Sequence, residues 1–216
     1  MYKLVIFDLD GTLIDSVNDL AIATNRALAA CGYPVHPTDA YRHFVGNGIN
    51  KLLERALPEG YKSPENISEV RKLFLPYYTS HGTEHTAPYT GIVPMLMGLQ
   101  LLGVRLAIAS NKYHVITEQM VPHFFPTINF ETVIGQRDNI PPKPDPAIVE
   151  DIHQRTKVAK SDTLYVGDTV IDIETARNAG LDMAAVTWGF RPKAELKAYS
   201  PKYLIDSPKG IISLFL

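Results

Sequence analysis

The stretch VIFDLDGTLIDS, residues 5–16, joins an apolar run to two aspartates, Asp8 and Asp10, which are followed by a glycine and a threonine. A short, continuous apolar run that ends abruptly in charge is typical of a parallel strand buried on both faces. Asp8 is therefore expected at the end of a buried strand. Two like charges at that position require a neighbouring cation, because close carboxylates disfavour joint ionisation.

Five further runs have the composition of β-strands, at residues 104–109, 131–135, 163–166, 182–188 and 202–206. Helical patterns lie between them, at residues 93–102, 146–155 and 170–179. Alternating strands and helices predict an α/β fold in which helices cover both faces of an open parallel sheet. Ligands of such sheets bind beyond the carboxyl ends of the strands. Asp8, Ser110 and Asp168, each at a predicted strand end, are therefore expected to meet at one site.

Residues 16–89 interrupt this alternation. They contain four helical patterns and no convincing strand; the patterns cover residues 16–30, 38–44, 49–57 and 64–81. Residues 1–15 and 90–216 are thus expected to form the core, with residues 16–89 inserted as a small all-helical domain. Tyr77 and Tyr78 fit the apolar face of the last inserted helix. The stretch GIISLFL, residues 210–216, is expected to pack as a final helix.

Composition and charge exclude several classes of function. The chain has 216 residues, 45% of them hydrophobic, which is enough for a sizeable core. Its 21 Lys and Arg against 23 Asp and Glu give a net charge of -2, so a general basic surface for nucleic acid is not expected. Pro94, Gly103 and Arg105 interrupt the apolar residues 92–109, which favours a helix followed by a buried strand over a membrane span. With one cysteine, Cys31, and no leader-like start, a cytoplasmic location is expected.

Four aspartates are candidate metal ligands: Asp8, Asp10, Asp168 and Asp172. Asp8 and Asp10 flank Leu9, so their side chains can face the same side of an extended chain. Carboxylates about 5 Å apart repel by about 3 kcal/mol per pair at an effective dielectric constant of about 20, so such a cluster needs a cation. Oxygen ligands without a histidine or cysteine cluster favour a hard ion, with Mg²⁺ before Mn²⁺ or Ca²⁺.

Other polar residues are candidates for binding an anion. Ser110 and Asn111 lie where a strand is expected to give way to a helix, and Lys143 lies in the proline-rich loop PPKPDP, residues 141–146. Free amides at a helix start and a lysine both favour an oxyanion. Ser110 and Asn111 could also simply cap the helix, which would not exclude phosphate binding. A metal beside an anion site suggests phosphate chemistry, in which Asp8 attacks phosphorus and Asp10 acts as acid and base.

Taken together, these motifs resemble those of a known family. DLDGT at the end of the first strand, Ser110, Lys143 before a proline, and GDTVID at residues 167–172 are similar in order and approximate spacing to the four motifs of the haloacid dehalogenase-like superfamily. VGNG, PYTG, SNK and KPDP look like stretches of its phosphoglycolate phosphatase branch. The resemblance spans nearly the whole chain and implies a Rossmann-like core with an inserted helical cap domain.

The resemblance gives each matching aspartate a role. It implies that Asp8 is the nucleophile and a metal ligand. Asp10 would be the acid–base residue, with its backbone carbonyl on the metal. Asp168 would bind the metal, and Asp172 would lie close to the metal or its water. The cofactor implied is Mg²⁺.

The resemblance also points to residues that would contact the substrate. Ser110 and Lys143 would hold the phosphate, with Asn111 beside them. The loop VGNG matches a loop of the family's cap that faces the active site, so Gly46 and Asn47 are candidates for selecting the substrate. Without the resemblance, a single Gly-x-Gly predicts only a turn.

The resulting hypothesis is a Mg²⁺-dependent phosphomonoester hydrolase that acts through a phosphoaspartyl intermediate on a small phosphorylated metabolite, phosphoglycolate first. The same motifs would serve a pyrophosphatase, a nucleotidase, a sugar-phosphate phosphatase or a phosphomutase, because they read only the phosphoryl group. A receiver-like phosphoacceptor module is the alternative from a different class, and Asp10 and the insertion argue against it. Neither nucleic acid nor a membrane is expected as a partner, and the chain is expected to be a monomer or a homodimer.

Overall fold

A computed structural model describes all 216 residues. The strands are, in chain order, β1 (Leu4–Phe7), β2 (Ile14–Asp15), β3 (Ala87–Pro88), β4 (Arg105–Tyr113), β5 (Thr132–Gln136), β6 (Thr163–Gly167), β7 (Asp182–Val186) and β8 (Tyr203–Ile205). The α-helices are α1 (Val17–Ala30), α2 (Tyr41–Phe44), α3 (Ile49–Ala56), α4 (Pro64–His81), α5 (Ile92–Leu101), α6 (His114–Phe124), α7 (Ala147–Thr156), α8 (Val170–Ala179), α9 (Lys193–Ala198) and α10 (Pro208–Ile212).

Six of the strands form one parallel sheet in the order β5-β4-β1-β6-β7-β8. β1 lies near the middle, and all four of its residues are buried because both of its faces are covered. Successive side chains of a strand point to opposite faces. Val5 and Phe7 belong to the apolar cluster that includes α5 and α6, whereas Leu4 and Ile6 belong to the cluster that includes α7 and α8. The prediction of a parallel sheet with helices on both faces is confirmed.

The apolar stretch at residues 92–109 folds into helix α5 and the first part of β4, as predicted. Gly103 lies between them with φ of 77°, a left-handed conformation that glycine adopts without a steric penalty. None of the helices combines the length and the apolar character that crossing a membrane requires.

The segment between β2 and β3, called the insertion below, consists of α1 to α4. The four predicted helical patterns are all present, and α1 packs against α4. Ser63 begins α4 by accepting a hydrogen bond from the backbone N–H of Asn66 at 3.3 Å, and Pro64 occupies the first helical position, where no N–H is needed.

Two very short strands were not predicted. β2 and β3 pair antiparallel, with Ile14 opposite Pro88 and Asp15 opposite Ala87. Two residues carry no readable periodicity, so the sequence pattern gave no signal for them. Their pairing holds side by side the two places where the chain passes between the sheet and the insertion.

A buried carboxylate joins the first inserted helix to the chain that returns to the core. Asp19, in the first turn of α1, accepts hydrogen bonds from the backbone N–H groups of His85 (3.0 Å) and Thr86 (2.8 Å). The Thr86 hydroxyl also donates to Asp19, at 2.7 Å. Asp19 thus gives the buried backbone N–H of Thr86 an acceptor and ties residues 85–86 to the start of α1.

Replacing Asp19 with alanine is expected to lower the free energy of unfolding by about 2–3 kcal/mol, because several donors lose a charged acceptor. Urea unfolding followed by circular dichroism measures the change. Asp39→Ala, at an exposed position, is the matched control and should change the value by less than about 0.5 kcal/mol. A loss at Asp19 no larger than the loss at Asp39 would contradict this account.

Candidate active site

Two strand ends and one helix start bring three carboxylates together. β1 and β6 are neighbouring parallel strands, so Asp8 and Asp168, which follow them directly, lie close to each other. Asp172 joins them from the first turn of α8. Each residue contributes an oxygen atom that lies within 4.8 Å of the others, and all three residues are buried. Asp10 is not part of this group.

A buried lysine lies within the group of acids. The Nζ atom of Lys143 is 2.8 Å from Asp172 Oδ1 and 3.1 Å from Asp8 Oδ1, and it donates to the carbonyl of Ala109 at 3.0 Å. Burial disfavours a charged ammonium, yet the carboxylates of Asp172 and Asp8 raise the pKa of Lys143 well above its ordinary value. The predicted phosphate-binding lysine is therefore a fixed cation beside the acids.

The group still carries more negative than positive charge, with three carboxylates and one ammonium. Burial raises the pKa of Asp8 to about 7; the ammonium of Lys143 opposes this shift, and the carboxylate of Asp172 adds to it. Burial, followed by the carboxylates of Asp172 and Asp8, also raises the pKa of Asp168 well above its ordinary value. An additional cation bound through oxygen atoms fits this surplus of negative charge, and hard divalent ions prefer such donors.

The hydrogen bonds of Asp8 and Asp168 differ in one respect. Asp168 accepts at both oxygens, from the Thr12 hydroxyl at 2.9 Å and from the backbone N–H of Phe190 at 2.7 Å. Asp8 Oδ1 accepts from the backbone N–H of Leu9 at 2.7 Å, whereas Asp8 Oδ2 accepts no hydrogen bond from the protein. Asp8 therefore keeps one oxygen free to react, while Asp168 is held in a fixed orientation.

Both oxygens of Asp172 are engaged by the protein. Oδ1 accepts from Lys143, and Oδ2 accepts from the backbone N–H of Thr169 at 3.0 Å and from its hydroxyl at 2.6 Å. The hydroxyl of Thr169 in turn accepts from the Asp172 N–H, so the two residues form a capping box at the start of α8. Asp172 is therefore held by Thr169 and in turn positions the ammonium group of Lys143.

Ser110 and Asn111 lie inside strand β4, where the sequence predicted the strand to end and a helix to begin. β4 continues to Tyr113 after a register shift against β5, and α6 begins at His114 without a side-chain cap. The Asn111 amide accepts from the backbone N–H of Lys143 at 2.8 Å and donates to its carbonyl at 3.0 Å. These long-range contacts hold the chain extended. The interpretation of Ser110 and Asn111 as helix caps is therefore wrong, and Asn111 fixes the loop of Lys143.

The carboxylate of Asp10 pairs with a different lysine, Lys112, from the one that faces Asp8. Lys112 Nζ donates to the two Asp10 oxygens at 3.0 and 3.1 Å, and Ser16 Oγ donates to Oδ1 at 2.5 Å. The carboxylate of Asp10 is thus paired separately from the group around Asp8. Two aspartates that flank a single leucine in the sequence have different surroundings, as different chemical roles require.

Lys112 and Tyr78 are site residues that the sequence analysis did not select. Tyr78 is buried and stacks on Phe74, with ring centroids 5.1 Å apart, which agrees with its expected place in an inserted helix. Its hydroxyl, however, accepts a hydrogen bond from Lys112 Nζ at 2.6 Å. The motif SNK contained a usable signal, because Lys112 follows Ser110 by two residues and alternate residues of a strand share a face. Nothing local could have paired Lys112 with a tyrosine from α4.

A cavity lies between the core and the insertion. The core contributes Asp8, Asp10, Ser110 and Lys112, together with neighbouring residues of β4 and α6. The insertion contributes a mainly apolar wall, which consists of Leu20, Val45, Gly46, Gly48, Ile49, Leu52, Phe74 and Tyr78.

The two insertion residues proposed to select the substrate lie in different places. Gly46 lines the same cavity as Asp8. Asn47 lines an adjoining, more polar cleft, and its Oδ1 accepts a hydrogen bond from Arg55 at 2.7 Å. Gly46 is therefore placed to meet a ligand of the cavity, whereas Asn47 supports the loop that carries Gly46.

This fold and site define a class of enzyme. The family model for haloacid dehalogenase-like hydrolases matches residues 5–186, and the chain belongs to that family. Within the family it groups with the phosphoglycolate phosphatase branch, as the sequence motifs predicted.

Relatives and solved structures cover almost the whole chain. A phosphoglycolate phosphatase of Pseudomonas putida is 35% identical over 97% of this chain and 78% of its own length. One of Vibrio parahaemolyticus is 32% identical over 98% of this chain and 95% of its own length. A crystal structure of a protein from Lactobacillus delbrueckii subsp. bulgaricus superposes with a TM-score of 0.93 at 29% identity and covers 100% of this chain and 98% of that one. Family and relatives together confirm the prediction of a phosphatase that acts on a small phosphorylated substrate.

Proposed function

We propose that the chain is a Mg²⁺-dependent phosphomonoester hydrolase that works through a phosphoaspartyl intermediate, with phosphoglycolate as its first candidate substrate. The observation that carries the proposal is the unengaged Oδ2 of Asp8, a residue that lines the cavity and whose other oxygen, Oδ1, is 3.1 Å from the ammonium of Lys143. A carboxylate oxygen beside a cation is suited to attack phosphorus, because the cation offsets the negative charge of the phosphoryl oxygens.

The proposed reaction assigns a proton and a bond to each step. Asp8 Oδ2 forms a bond to phosphorus while the ester P–O bond breaks, and Asp10 gives its proton to the leaving oxygen. Asp10 then takes a proton from water as that water attacks the phosphoaspartate, which releases inorganic phosphate and restores Asp8. Lys112, at 3.0 Å from Asp10, offsets the charge of the Asp10 carboxylate between the two steps.

Metal and phosphate would be held by residues from several elements. Asp8, Asp168 and the backbone carbonyl of Asp10 would bind Mg²⁺. Asp172 would lie close to the metal or its water and would hold Lys143 in place. When bound, Mg²⁺ would neutralise and orient the transferred phosphoryl group. Ser110 would hold the phosphoryl oxygens together with Lys143.

The insertion, residues 16–89, would act as a cap domain over a core of residues 1–15 and 90–216. Its residues Gly46, Leu52, Phe74 and Tyr78 line the cavity together with Asp8. Closure of these residues over a bound substrate would exclude bulk water during transfer. A cytoplasmic location and a monomeric or dimeric state stay predictions of the sequence.

The test of this function is phosphate release from a panel of phosphorylated compounds with Mg²⁺ or with EDTA. Phosphoglycolate is expected to give the highest kcat/KM, activity should vanish in EDTA, and added Mg²⁺ should restore it. A preference for pyrophosphate, a nucleoside monophosphate or a sugar phosphate would replace the substrate and keep the chemistry. Full activity in EDTA would show that the reaction does not depend on a metal ion. A phosphorylated protein that is stable for minutes without turnover would identify a receiver-like module.

Asp10→Asn is expected to lower kcat for the preferred substrate by about a hundredfold or more, because general acid–base catalysis contributes that much in many enzymes. KM should change little, since the amide keeps the shape of the side chain. Asp138→Asn, at an exposed loop position, is the control and should retain full turnover. An unchanged kcat in Asp10→Asn would remove Asp10 from the role of acid and base.

A further inference from the structure

We propose that Lys112 and Tyr78 together bind a carboxylate on the leaving group of the substrate, so that the cavity selects short phosphomonoesters of hydroxy acids. This inference rests on the proposed function and extends it from the phosphoryl end of the substrate to the other end.

The first observation concerns charge in the cavity wall. Lys112 is the only lysine or arginine among the residues that line the cavity, and its side chain is 4% exposed. Lys143 stands at the other end of the site, where Asp8, Asp172 and the carbonyl of Ala109 surround its ammonium group. A substrate that is anionic at both ends needs a cation at each end, and the site has one lysine for each.

The second observation concerns an unused proton. The Tyr78 oxygen accepts from Lys112 Nζ at 2.6 Å, so the Tyr78 hydroxyl proton points elsewhere, and no acceptor in the protein takes it. A buried hydroxyl without an acceptor for its proton is costly unless a ligand supplies one. One N–H of Lys112 can be shared between the two Asp10 oxygens, at 3.0 and 3.1 Å, and a second is donated to Tyr78, which leaves the third for a ligand. That N–H and the Tyr78 hydroxyl are adjacent donors, which suits the two oxygen atoms of one carboxylate.

Distance connects this pair to the leaving group. Asp10 must come within about 2.6–3.2 Å of the leaving oxygen to protonate it. Lys112 Nζ is 3.0 Å from the same Asp10 carboxylate, so it lies next to whatever the leaving oxygen carries. In phosphoglycolate the carboxylate carbon is only two bonds from that oxygen. The carboxylate therefore reaches Lys112 and Tyr78 while the phosphoryl group stays at Asp8.

The remaining walls set the size of the substrate. Leu20, Leu52 and Phe74, all from the insertion, are buried residues that close the cavity on the side of Tyr78. They offer no polar partner to the hydroxyl groups of a sugar or nucleoside. A short acid fills the space between Asp10 and Tyr78, and its carboxylate contacts the core through Lys112 and the insertion through Tyr78.

The experiment compares two substrates with the Mg²⁺-loaded enzyme, phosphoglycolate and ethyl phosphate, which differ by the carboxylate. Wild type is expected to prefer phosphoglycolate in kcat/KM. Because Lys112 also pairs with Asp10, Lys112→Met should lower kcat to a similar extent on both substrates. In addition, it should raise KM by about a hundredfold for phosphoglycolate alone, so that the loss of kcat/KM is much larger on phosphoglycolate than on ethyl phosphate. Lys112→Arg should regain part of the loss. Lys72→Met, at an exposed position of α4, is the control and should leave both substrates unchanged.

Tyr78→Phe keeps the ring and removes only the hydroxyl, so it tests the same idea if Lys112→Met fails to fold. It should lose about tenfold on phosphoglycolate and retain the rate on ethyl phosphate. Equal losses on the two substrates would assign Lys112 and Tyr78 to positioning Asp10 and overturn the inference, as would a wild type without preference for phosphoglycolate. If wild type hydrolyses neither substrate, the proposed function itself fails, which is a distinct result.

Discussion

Asp8→Asn is expected to reduce phosphate release by at least about a thousandfold, with aryl phosphates as well as with phosphoglycolate. The amide is a poor nucleophile, and loss of a residue that forms a covalent intermediate commonly removes most of the catalytic effect. The measurement is Mg²⁺-dependent release of inorganic phosphate at saturating substrate.

The variant should fold at least as well as wild type, so its inactivity can be assigned to chemistry. Burial raises the pKa of Asp8, which means that its ionised form costs folding free energy at neutral pH, and the neutral amide removes that cost. Thermal melting in EDTA provides the check. Activity within tenfold of wild type in a correctly folded Asp8→Asn protein would exclude Asp8 as the nucleophile.

Lys143→Met is expected to lower the free energy of unfolding of the metal-free protein by about 3–5 kcal/mol. Removing one partner of a buried ion pair leaves the others uncompensated, and Asp172 and Asp8 both face the Lys143 ammonium. Urea unfolding in EDTA measures this loss. Phosphatase activity should also disappear, because the phosphoryl group would lose its fixed cation.

Lys160→Met is the matched control for Lys143→Met. Lys160 pairs with Glu150 at the surface, where both side chains are more than two-fifths exposed and an ion pair contributes little. Its loss should stay below about 1 kcal/mol. A similarly small loss at Lys143 would mean that the acids near it lose their charge when the lysine is absent, and that the lysine is dispensable for stability.

The position of Asp8 could be predicted because its cause is local. A continuous apolar run defines a strand buried on both faces, and the next residue must lie at the carboxyl end of that strand, where ligands of parallel sheets bind. The same reasoning correctly placed Asp168 after β6. Asp172 lies in the cluster, as expected. Its link to Thr169 is a capping box, whose spacing of three residues is visible in the sequence.

The features that were missed depend on contacts between distant parts of the chain. β4 extends past its predicted end because Asn111 bonds to the loop of Lys143, 32 residues later. The hydrogen bond between Tyr78 and Lys112 joins a helix of the insertion to a strand of the sheet. A pattern of single residues records which faces are apolar. It does not record which two faces meet.

The pairing of β2 with β3 has a consequence for how this enzyme could be altered. The chain leaves the sheet at Ile14 and returns opposite it at Pro88, about one strand spacing away. The two ends of the insertion therefore lie side by side at one point of the core. Any segment whose own ends lie that close could take the place of the insertion without stretching the parallel sheet. The proposed cap could therefore be exchanged while the strands that carry Asp8 and Asp168 stay as they are.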